Sequence, residues 1–320
     1  MLVRWLTLCL VFLGTLASAG AAQAATHPAK AKAKHVKPAK PVKAVKRAHI
    51  RHVAVVDNGE LSVQSNIALV VDQSTGRTVF GKNVDEVHPI ASISKLMTAQ
   101  VILDAQLPME ERVTITEADV DTEKGTRSRL RVGTELTRTQ LLQLALMSSE
   151  NRAAHALART YPEGLQAFVL LMNQKAKALG MTNSHFVEPT GLSSSNVSTA
   201  SDLVKLVHAA ERYTVIREYT TTSSRDVEVM GRVMRFNNTN RLVGSEAWDI
   251  VLSKTGFINE AGRCLVMQAR IEGRPLTIVL LDSWGRMTRL GDANRIRKWL
   301  TSQASAGGNH MFPTGEAAGG

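Results

Sequence analysis

The chain has 320 residues, a formal net charge of +11 at pH 7 and two cysteines, Cys9 and Cys264. The length allows one domain with a substantial apolar core, and because Cys9 lies in an N-terminal leader, the mature chain cannot form an internal disulfide. Nine basic residues lie between residues 25 and 56, where no acidic residue occurs, so the positive charge belongs to a tail and the rest of the chain is close to neutral.

The first 24 residues have the pattern of a secretory signal peptide. A start that contains Arg4 precedes the apolar run 5–16 and the small-residue site Ala22-Gln23-Ala24. We predict cleavage after Ala24 and export of the mature protein to the periplasm. The apolar run is too short to span a bilayer comfortably, and no later segment of the sequence is apolar for long enough to do so.

Residues 25–60 are rich in Ala, Lys, Pro and His and show neither a helical nor a strand period. This composition is typical of a disordered, basic linker. Such a linker is either a solvated spacer or an electrostatic tether to an anionic wall or membrane surface. Nucleic acid is the usual partner of a tail with this charge, but the export signal argues against it.

Residues 61–301 are predicted to form one α+β domain, followed by a flexible tail over residues 302–320. An early hairpin pairs strands 67–71 and 77–80, and it could complete the sheet made by the late strands. The predicted helices are 89–103, 138–147 with Thr137 as its N-cap, one that begins at Arg152, 164–179, one that begins near Ser201 and a closing helix over 290–300. The predicted late strands are 227–236, 248–254, 264–269 and 276–281.

The helix predicted over residues 89–103 carries the first chemical signal. Most of its residues are apolar, so we expect it to be buried on nearly every side. Ser92 and Lys95 are three residues apart and therefore lie on the same face of the helix. They could serve as a nucleophile and a base, with the unpaired N–H of the first turn as a donor to an oxyanion. The alternative is a lysine that extends out of a packed helix into solvent.

Two further motifs follow in the sequence. Ser149-Glu150-Asn151 lies at a predicted helix break, where side chains can project into a cleft, although Ser194-Ser195-Asn196 also fits Ser-x-Asn. Lys254-Thr255-Gly256 follows an apolar run and ends or borders a strand, where Gly256 would let a substrate backbone approach closely. Alternatively, Lys254 is an edge-strand lysine that prevents aggregation.

Ser-x-x-Lys, Ser-x-Asn and Lys-Thr-Gly, in this order, are the motifs of β-lactamases and penicillin-binding proteins. Longer segments extend the likeness: 89–99, 144–154, 186–192, 254–257 and 264–267. On these residues the chain resembles the low-molecular-mass penicillin-binding proteins, peptidase family S11, and most closely their D-alanyl-D-alanine endopeptidase branch (penicillin-binding protein 7 type). The resemblance covers about residues 67–300 and leaves out the leader, the linker and the tail.

The resemblance implies a DD-peptidase and serine β-lactamase-like fold, in which helices flank an antiparallel sheet and a helical subdomain is added. It implies a serine peptidase that cleaves the peptide cross-links of peptidoglycan through an acyl-enzyme and is inhibited by β-lactams. Neither a metal nor a cofactor is implied. The alternatives are a D-alanyl-D-alanine carboxypeptidase and a wall-binding scaffold without turnover.

The resemblance also implies roles for individual residues. Ser92 would be the nucleophile, and Lys95 would accept its proton with a pKa lowered by burial and by the neighbouring Lys254. Ser149 would relay the proton to the leaving amine, while Asn151 would hold the substrate amide and Lys95.

The remaining roles belong to one strand and one loop. Lys254 and Thr255 would bind the terminal carboxylate of the peptide, and the N–H groups of Ser92 and Phe257 would form the oxyanion hole. A class A β-lactamase would need a glutamate to activate water. Glu188 is the candidate, but its segment follows the peptidase pattern instead.

Overall fold

A computed structural model describes residues 61–306 of the chain. Its strands are β1 (Ile67–Asp72), β2 (Thr78–Lys82), β3 (His88–Pro89), β4 (Arg112–Thr114), β5 (Glu135–Thr137), β6 (Val197–Ser198), β7 (Ser224–Val229), β8 (Arg232–Asn237), β9 (Asp249–Ile258), β10 (Gly262–Ile271) and β11 (Arg274–Ser283). Its α-helices are α1 (Lys95–Asp104), α2 (Arg138–Met147), α3 (Asn151–Arg159), α4 (Gly164–Ala178), α5 (Ala200–Glu211), α6 (Thr214–Thr221) and α7 (Thr288–Ala306). Predicted segments through residue 60 and from residue 307 onward lie outside the described residues.

A five-stranded antiparallel sheet forms the centre of the domain, in the order β2-β1-β11-β10-β9. The first long strand pairs with the last one, with Ile67 opposite Leu281. This pairing confirms that the early hairpin completes the sheet of the late strands. Together with the flanking helices, it confirms the predicted α+β class.

The two faces of the sheet belong to two apolar cores. Alternate residues of β1 point to opposite faces, as the period of a strand requires. Ile67 and Leu69 pack in the core that contains α1, whereas Ala68 and Val70 pack in the core that contains the apolar side of α7. Residues 95–102 of α1 are all buried, which confirms the prediction of a helix enclosed on nearly every side.

The start of the first helix differs from the prediction. Pro89 lies in the short strand β3, opposite Val197 of β6, and the helical conformation begins with the 3-10 helix Ala91–Ser94 before α1. Ala91 has a positive φ of 48°, a conformation that L-residues rarely adopt and that interrupts a continuous helix. The predicted helix over 89–103 is therefore a strand, a 3-10 helix and a shorter α-helix.

The late strands β9, β10 and β11 are longer than predicted, and two other elements also differ from their predicted extent. The strand predicted over 227–236 is a hairpin of β7 and β8, which turns at Met230 and Gly231, both with positive φ. Helix α7 continues to Ala306, past the predicted domain boundary at residue 301. The Ala and Gln residues in this last stretch are favourable in a helix.

A close approach of two loops fixes the position of the 3-10 helix. Gly191 has a φ of 80°, and a Cβ atom placed on it would lie 1.9 Å from the carbonyl oxygen of Ala91 and 2.7 Å from the nitrogen of Ser92. Glycine is therefore required at residue 191 both by its backbone conformation and by the space available.

We expect Gly191→Ala to destabilise the protein more than Gly180→Ala. Both glycines have positive φ, so both alanine variants carry a left-handed penalty of about 1–2 kcal/mol. A Cβ on Gly180 would meet nothing within 4 Å, whereas at Gly191 it would collide with backbone and add about 1–3 kcal/mol of overpacking. Urea denaturation of the two variants measures the difference, and equal losses of unfolding free energy would contradict the packing argument.

Candidate active site

Ser92 lies in the 3-10 helix Ala91–Ser94, which is held on both sides by hydrogen bonds. The Ser94 hydroxyl donates to the carbonyl of Ala91 over 2.9 Å, and it accepts from Nδ2 of Asn196 over 3.0 Å. The carbonyl of Asn196 accepts from the N–H of Ile90 over 3.0 Å. Asn196 belongs to the second Ser-x-Asn match and is fully buried, so that match has a structural function.

Lys95 begins α1 and places its amine beside the serine hydroxyl. Its Nζ lies 2.8 Å from Oγ of Ser92, 2.7 Å from Oδ1 of Asn151 and 2.6 Å from the carbonyl oxygen of Thr190. The sequence analysis did not predict the contact with Thr190, because a backbone carbonyl leaves no mark in the sequence. The three acceptors hold the amine in one place, so the lysine does not extend into solvent.

Burial lowers the pKa of Lys95 to about 7, although the charges of Glu188 and Glu150 act in the opposite direction. Burial also lowers the pKa of Lys254 well below its ordinary value, and the charge of Lys95 lowers it further. The sequence predicted that burial and the neighbouring Lys254 would both lower the pKa of Lys95. Burial does lower it, whereas the repulsion between the two amines lowers the pKa of Lys254.

Ser149 lies between α2 and α3 in a backbone conformation with a φ of 61°. The N–H groups of Ser148 and Glu150 both donate to the carbonyl of Leu144, which ends α2 tightly and turns Ser149 outward. Oγ of Ser149 accepts from Nζ of Lys254 over 2.9 Å. The predicted helix break therefore brings Ser149 to the lysine of the third motif.

Asn151 links Lys95 to a loop that the sequence analysis left without an assigned function. While its Oδ1 accepts from Lys95, its Nδ2 donates to Oγ1 of Thr126 over 3.1 Å. Thr126 is held in turn by the carboxylate of Asp121, which accepts from its N–H over 2.8 Å and from its hydroxyl over 2.6 Å. These contacts fix the amide of Asn151, since its oxygen must face the lysine.

Strand β9 passes close to the 3-10 helix at Gly256. A Cβ atom on Gly256 would lie 2.9 Å from the carbonyl oxygen of Ile90 and 3.1 Å from the nitrogen of Ser92. The glycine therefore allows the strand itself to approach the 3-10 helix that contains Ser92. The sequence interpretation had assigned Gly256 to the approach of a substrate backbone.

The residues on either side of Gly256 have different environments. The hydroxyl of Thr255 lies 2.6 Å from that of Thr239. Phe257 is half exposed, and the guanidinium of Arg263 stacks over its ring at 4.4 Å. Thus the eight predicted site residues all lie around the 3-10 helix, α3 and β9.

Arg289, near the start of α7, is a buried cation whose charge acts on Lys254 and which the sequence did not indicate. Its side chain is buried, and its Nε and Nη1 have no hydrogen-bond partner among the described residues. Burial lowers the pKa of its guanidinium, and its charge contributes to the lowered pKa of Lys254. A buried guanidinium with two nitrogens that lack hydrogen-bond partners can bind an anion. No motif marks it, because it lies more than thirty residues after Lys254.

Glu188 is occupied by its own loop. Its carboxylate accepts from the N–H of Thr190 and from that of Gly191, each over 2.6 Å, and from Nδ2 of Asn196 over 3.0 Å. These bonds shape the segment that presents the Thr190 carbonyl to Lys95. The geometry agrees with the prediction that Glu188 follows the peptidase pattern.

Within residues 61–306, no group of three or more His, Cys, Asp or Glu side chains is arranged to hold a metal ion. In the same part of the chain, no helix is long and apolar enough to cross a membrane. Cys264, opposite Gly256 on β10, is buried, and burial raises the pKa of its thiol to about 12. The thiol is therefore unreactive, as its apolar neighbours predict.

A lysine against a serine on a buried helix, a second serine at a helix break and a Lys-Thr-Gly strand define the class of penicillin-recognising serine enzymes. Comparison with known proteins gives the family. The family model of D-alanyl-D-alanine carboxypeptidases, peptidase S11, matches residues 53–284. The chain belongs to this family, and it is a serine DD-peptidase.

Individual relatives refine the comparison. A D-alanyl-D-alanine endopeptidase of Pseudomonas aeruginosa is 49% identical, over 76% of this chain and 79% of that protein. One of Escherichia coli is 45% identical, over 79% of this chain and 83% of that protein. Among solved structures, a crystal structure of the Streptomyces K15 DD-transpeptidase is 29% identical with a TM-score of 0.70, over 75% of this chain and 98% of that one. The predicted family and fold are thus confirmed.

Proposed function

We propose that Ser92 is the nucleophile and that Lys95 is the base that activates it. The observation that carries this proposal is the 2.8 Å distance between Nζ and Oγ, together with a lysine pKa of about 7. Near neutral pH, about half of the Lys95 side chains are then uncharged, and a neutral amine can accept the hydroxyl proton. Oγ attacks the scissile carbonyl, and collapse of the tetrahedral intermediate expels the amine and leaves an ester on Ser92.

The leaving amine needs a proton. Ser149 is the proposed relay, because its Oγ lies 2.9 Å from Nζ of Lys254 and its helix break faces the same cleft. Asn151 orients Lys95 and has an amide that can meet the carbonyl of the acyl donor. The N–H groups of Ser92 and Phe257 are the proposed oxyanion donors, and the close approach of Gly256 to the Ser92 nitrogen supports this.

The active site offers cations to a substrate carboxylate that lies next to the scissile bond. Lys254 and Thr255 are its proposed ligands, and the unpaired guanidinium of Arg289 beside Lys254 adds a third. An anion between these cations would restore the hydrogen bonds that the buried guanidinium lacks. We therefore expect the enzyme to select peptides with a carboxylate directly after the cleaved amide.

The rate of acylation should fall with pH below about 7. Protonation of Lys95 removes the base, so the reaction of Ser92 with a fluorescent penicillin should slow about tenfold per pH unit below the lysine pKa. Labelling rates between about pH 5 and pH 8 measure this, and thermal melting over the same range controls for unfolding.

The same assay tests the nucleophile. Ser92→Ala should lose the label, and mass spectrometry should place the adduct of the wild-type protein on Ser92. A rate independent of pH would mean that another base acts. Absence of any adduct would favour the wall-binding scaffold.

We further propose that the preferred substrate is a D-alanyl cross-link between two peptidoglycan stems. Both cross-link cleavage and removal of a terminal D-alanine pass through the same acyl-enzyme, so the difference lies in the leaving group. The identity to two endopeptidases over most of their length supports cross-link cleavage. The carboxypeptidase description of the family keeps the second reaction as the alternative.

A cross-linked tetrapeptide dimer and a pentapeptide monomer distinguish the two reactions. We expect the dimer to be cleaved faster than the monomer. Chromatography follows the products of both reactions, and the Ser92→Ala variant is the inactive control. Faster release of D-alanine from the monomer would make the protein a carboxypeptidase.

Peptidoglycan lies outside the cytoplasmic membrane, so the proposed substrate agrees with the signal peptide predicted over residues 1–24 and with a periplasmic location. We propose that the basic linker over residues 25–60 then binds an anionic wall or membrane surface. Nine cations and no acidic residue between residues 25 and 56 support this.

Binding through the linker should be sensitive to salt. Between about 0.1 M and 1 M salt the Debye length falls from about 10 Å to about 3 Å, which screens the attraction. Pull-down with isolated sacculi should retain the mature protein at low salt and release it at high salt, while a version that begins at Asn58 should bind weakly in both. Equal retention of the two versions would leave the linker as a spacer.

A further inference from the structure

One segment next to the active site, residues 121–126, is attached to both walls of the cleft. Asp121 organises it, because its carboxylate accepts from the N–H groups of Glu123 and Lys124 over 2.9 Å each and from that of Thr126 over 2.8 Å. On the helical wall, Thr126 bonds to Asn151, whose other amide atom meets Lys95.

The other attachment is an ion pair. Nζ of Lys124 lies 2.6 Å from Oε1 of Glu260, at the tip of the hairpin between β9 and β10. The tip itself is anchored, since Nε2 of the buried His88 lies 3.1 Å from the carbonyl oxygen of Ala261. Ser92 lies between the two walls, because it shares Lys95 with Asn151 and contacts β9 at Gly256. The ion pair therefore joins the walls beyond Ser92.

The direction of β9 shows which part of a substrate would meet this ion pair. Lys254, a cation that suits the carboxylate of the leaving group, lies two residues before Gly256 on β9. Glu260 lies four residues after Gly256, and because β9 ends at Ile258 and Glu260 lies in the turn, the spacing of an extended chain gives an upper limit of roughly 13 Å. A peptide that lies along β9 with its carboxylate at Lys254 thus extends its acyl-donor side toward Glu260 and Lys124.

We propose that Lys124 is a subsite for a carboxylate of the acyl-donor peptide, and that Glu260 occupies it in the free enzyme. This inference rests on the proposed function and specifies the donor as an acidic peptide. The Glu260 side chain is 43% exposed, and exposed ion pairs contribute little net stability, so exchange of one carboxylate for another is easy. Arg127 and Arg131 are exposed in the same stretch, and their positive charge favours an anionic peptide.

Two matched peptides ending in D-Ala-D-Ala test the subsite. They carry Glu or Gln at a single residue about three or four before the scissile bond, as the distance along β9 requires. With the wild-type protein we expect the Glu peptide to have the lower KM, by about two- to fivefold at low salt, with similar kcat. Lys124→Met should abolish this preference, and Glu260→Gln should increase it because the internal competitor is gone. Lys177→Met, on an exposed face of α4, is the matched control and should keep the preference.

Several results would overturn the subsite. They are equal KM values for the two peptides with the wild-type protein, a preference that survives Lys124→Met, or a uniform loss of activity toward both peptides in the Lys124 and Glu260 variants. The last result would mean that the ion pair only stabilises the conformation of residues 121–126.

Penicillin labelling of Ser92 in the wild-type protein is measured in the same experiment. If the label forms and the preference is absent, the subsite is wrong and the proposed function stands, whereas a missing label overturns the proposed function itself.

Discussion

The rest of the structure depends on two buried lysine amines, because each needs polar atoms around it in place of water. Removing an ammonium from water costs several kcal/mol unless other polar atoms replace the water. Around Lys95 these atoms are the serine hydroxyl, the amide oxygen of Asn151 and the carbonyl of Thr190, and around Lys254 they are Oγ of Ser149 and a backbone carbonyl. The residual cost appears as the lowered pKa values of both lysines, and this cost makes an amine available as a base near neutral pH.

The surrounding segments are shaped to supply those polar atoms. The Thr190 carbonyl reaches Lys95 because the Glu188 carboxylate accepts hydrogen bonds from the N–H groups of its own loop. Gly191 contributes as well, since it allows this loop to pack closely against Ala91. Positive φ angles at Ala91 and Ser149 occur where the two serines are presented. Strained backbone is retained at sites that the surrounding structure over-determines, and both residues are held by hydrogen bonds on each side.

The sequence predicted the parts of the site that depend on local spacing. Ser92 and Lys95 are one helical turn apart, Ser149 follows a helix with a capping box at Thr137, and Lys254 ends an apolar run, so each could be placed on its element. Arg289, Thr126 and the Thr190 carbonyl could not be predicted, because only tertiary packing brings them to the lysines. The 3-10 helix was missed for a related reason. Alanine disfavours a positive φ, and it is the packing of Gly191 and Gly256 on residues 90–92 that accompanies this conformation.

The pairing of β1 with β11 has a consequence for when the enzyme becomes active. Ile67 meets Leu281 only after more than two hundred further residues have been added, and Lys254 and Arg289 lie in that late part of the chain. Contacts so distant in sequence close slowly and late. A chain that emerges N-terminus first therefore carries Ser92 for most of its synthesis without the sheet that completes the cleft. Incomplete chains lack the last strand of the sheet, so we expect hydrolytic activity to arrive only with the finished fold.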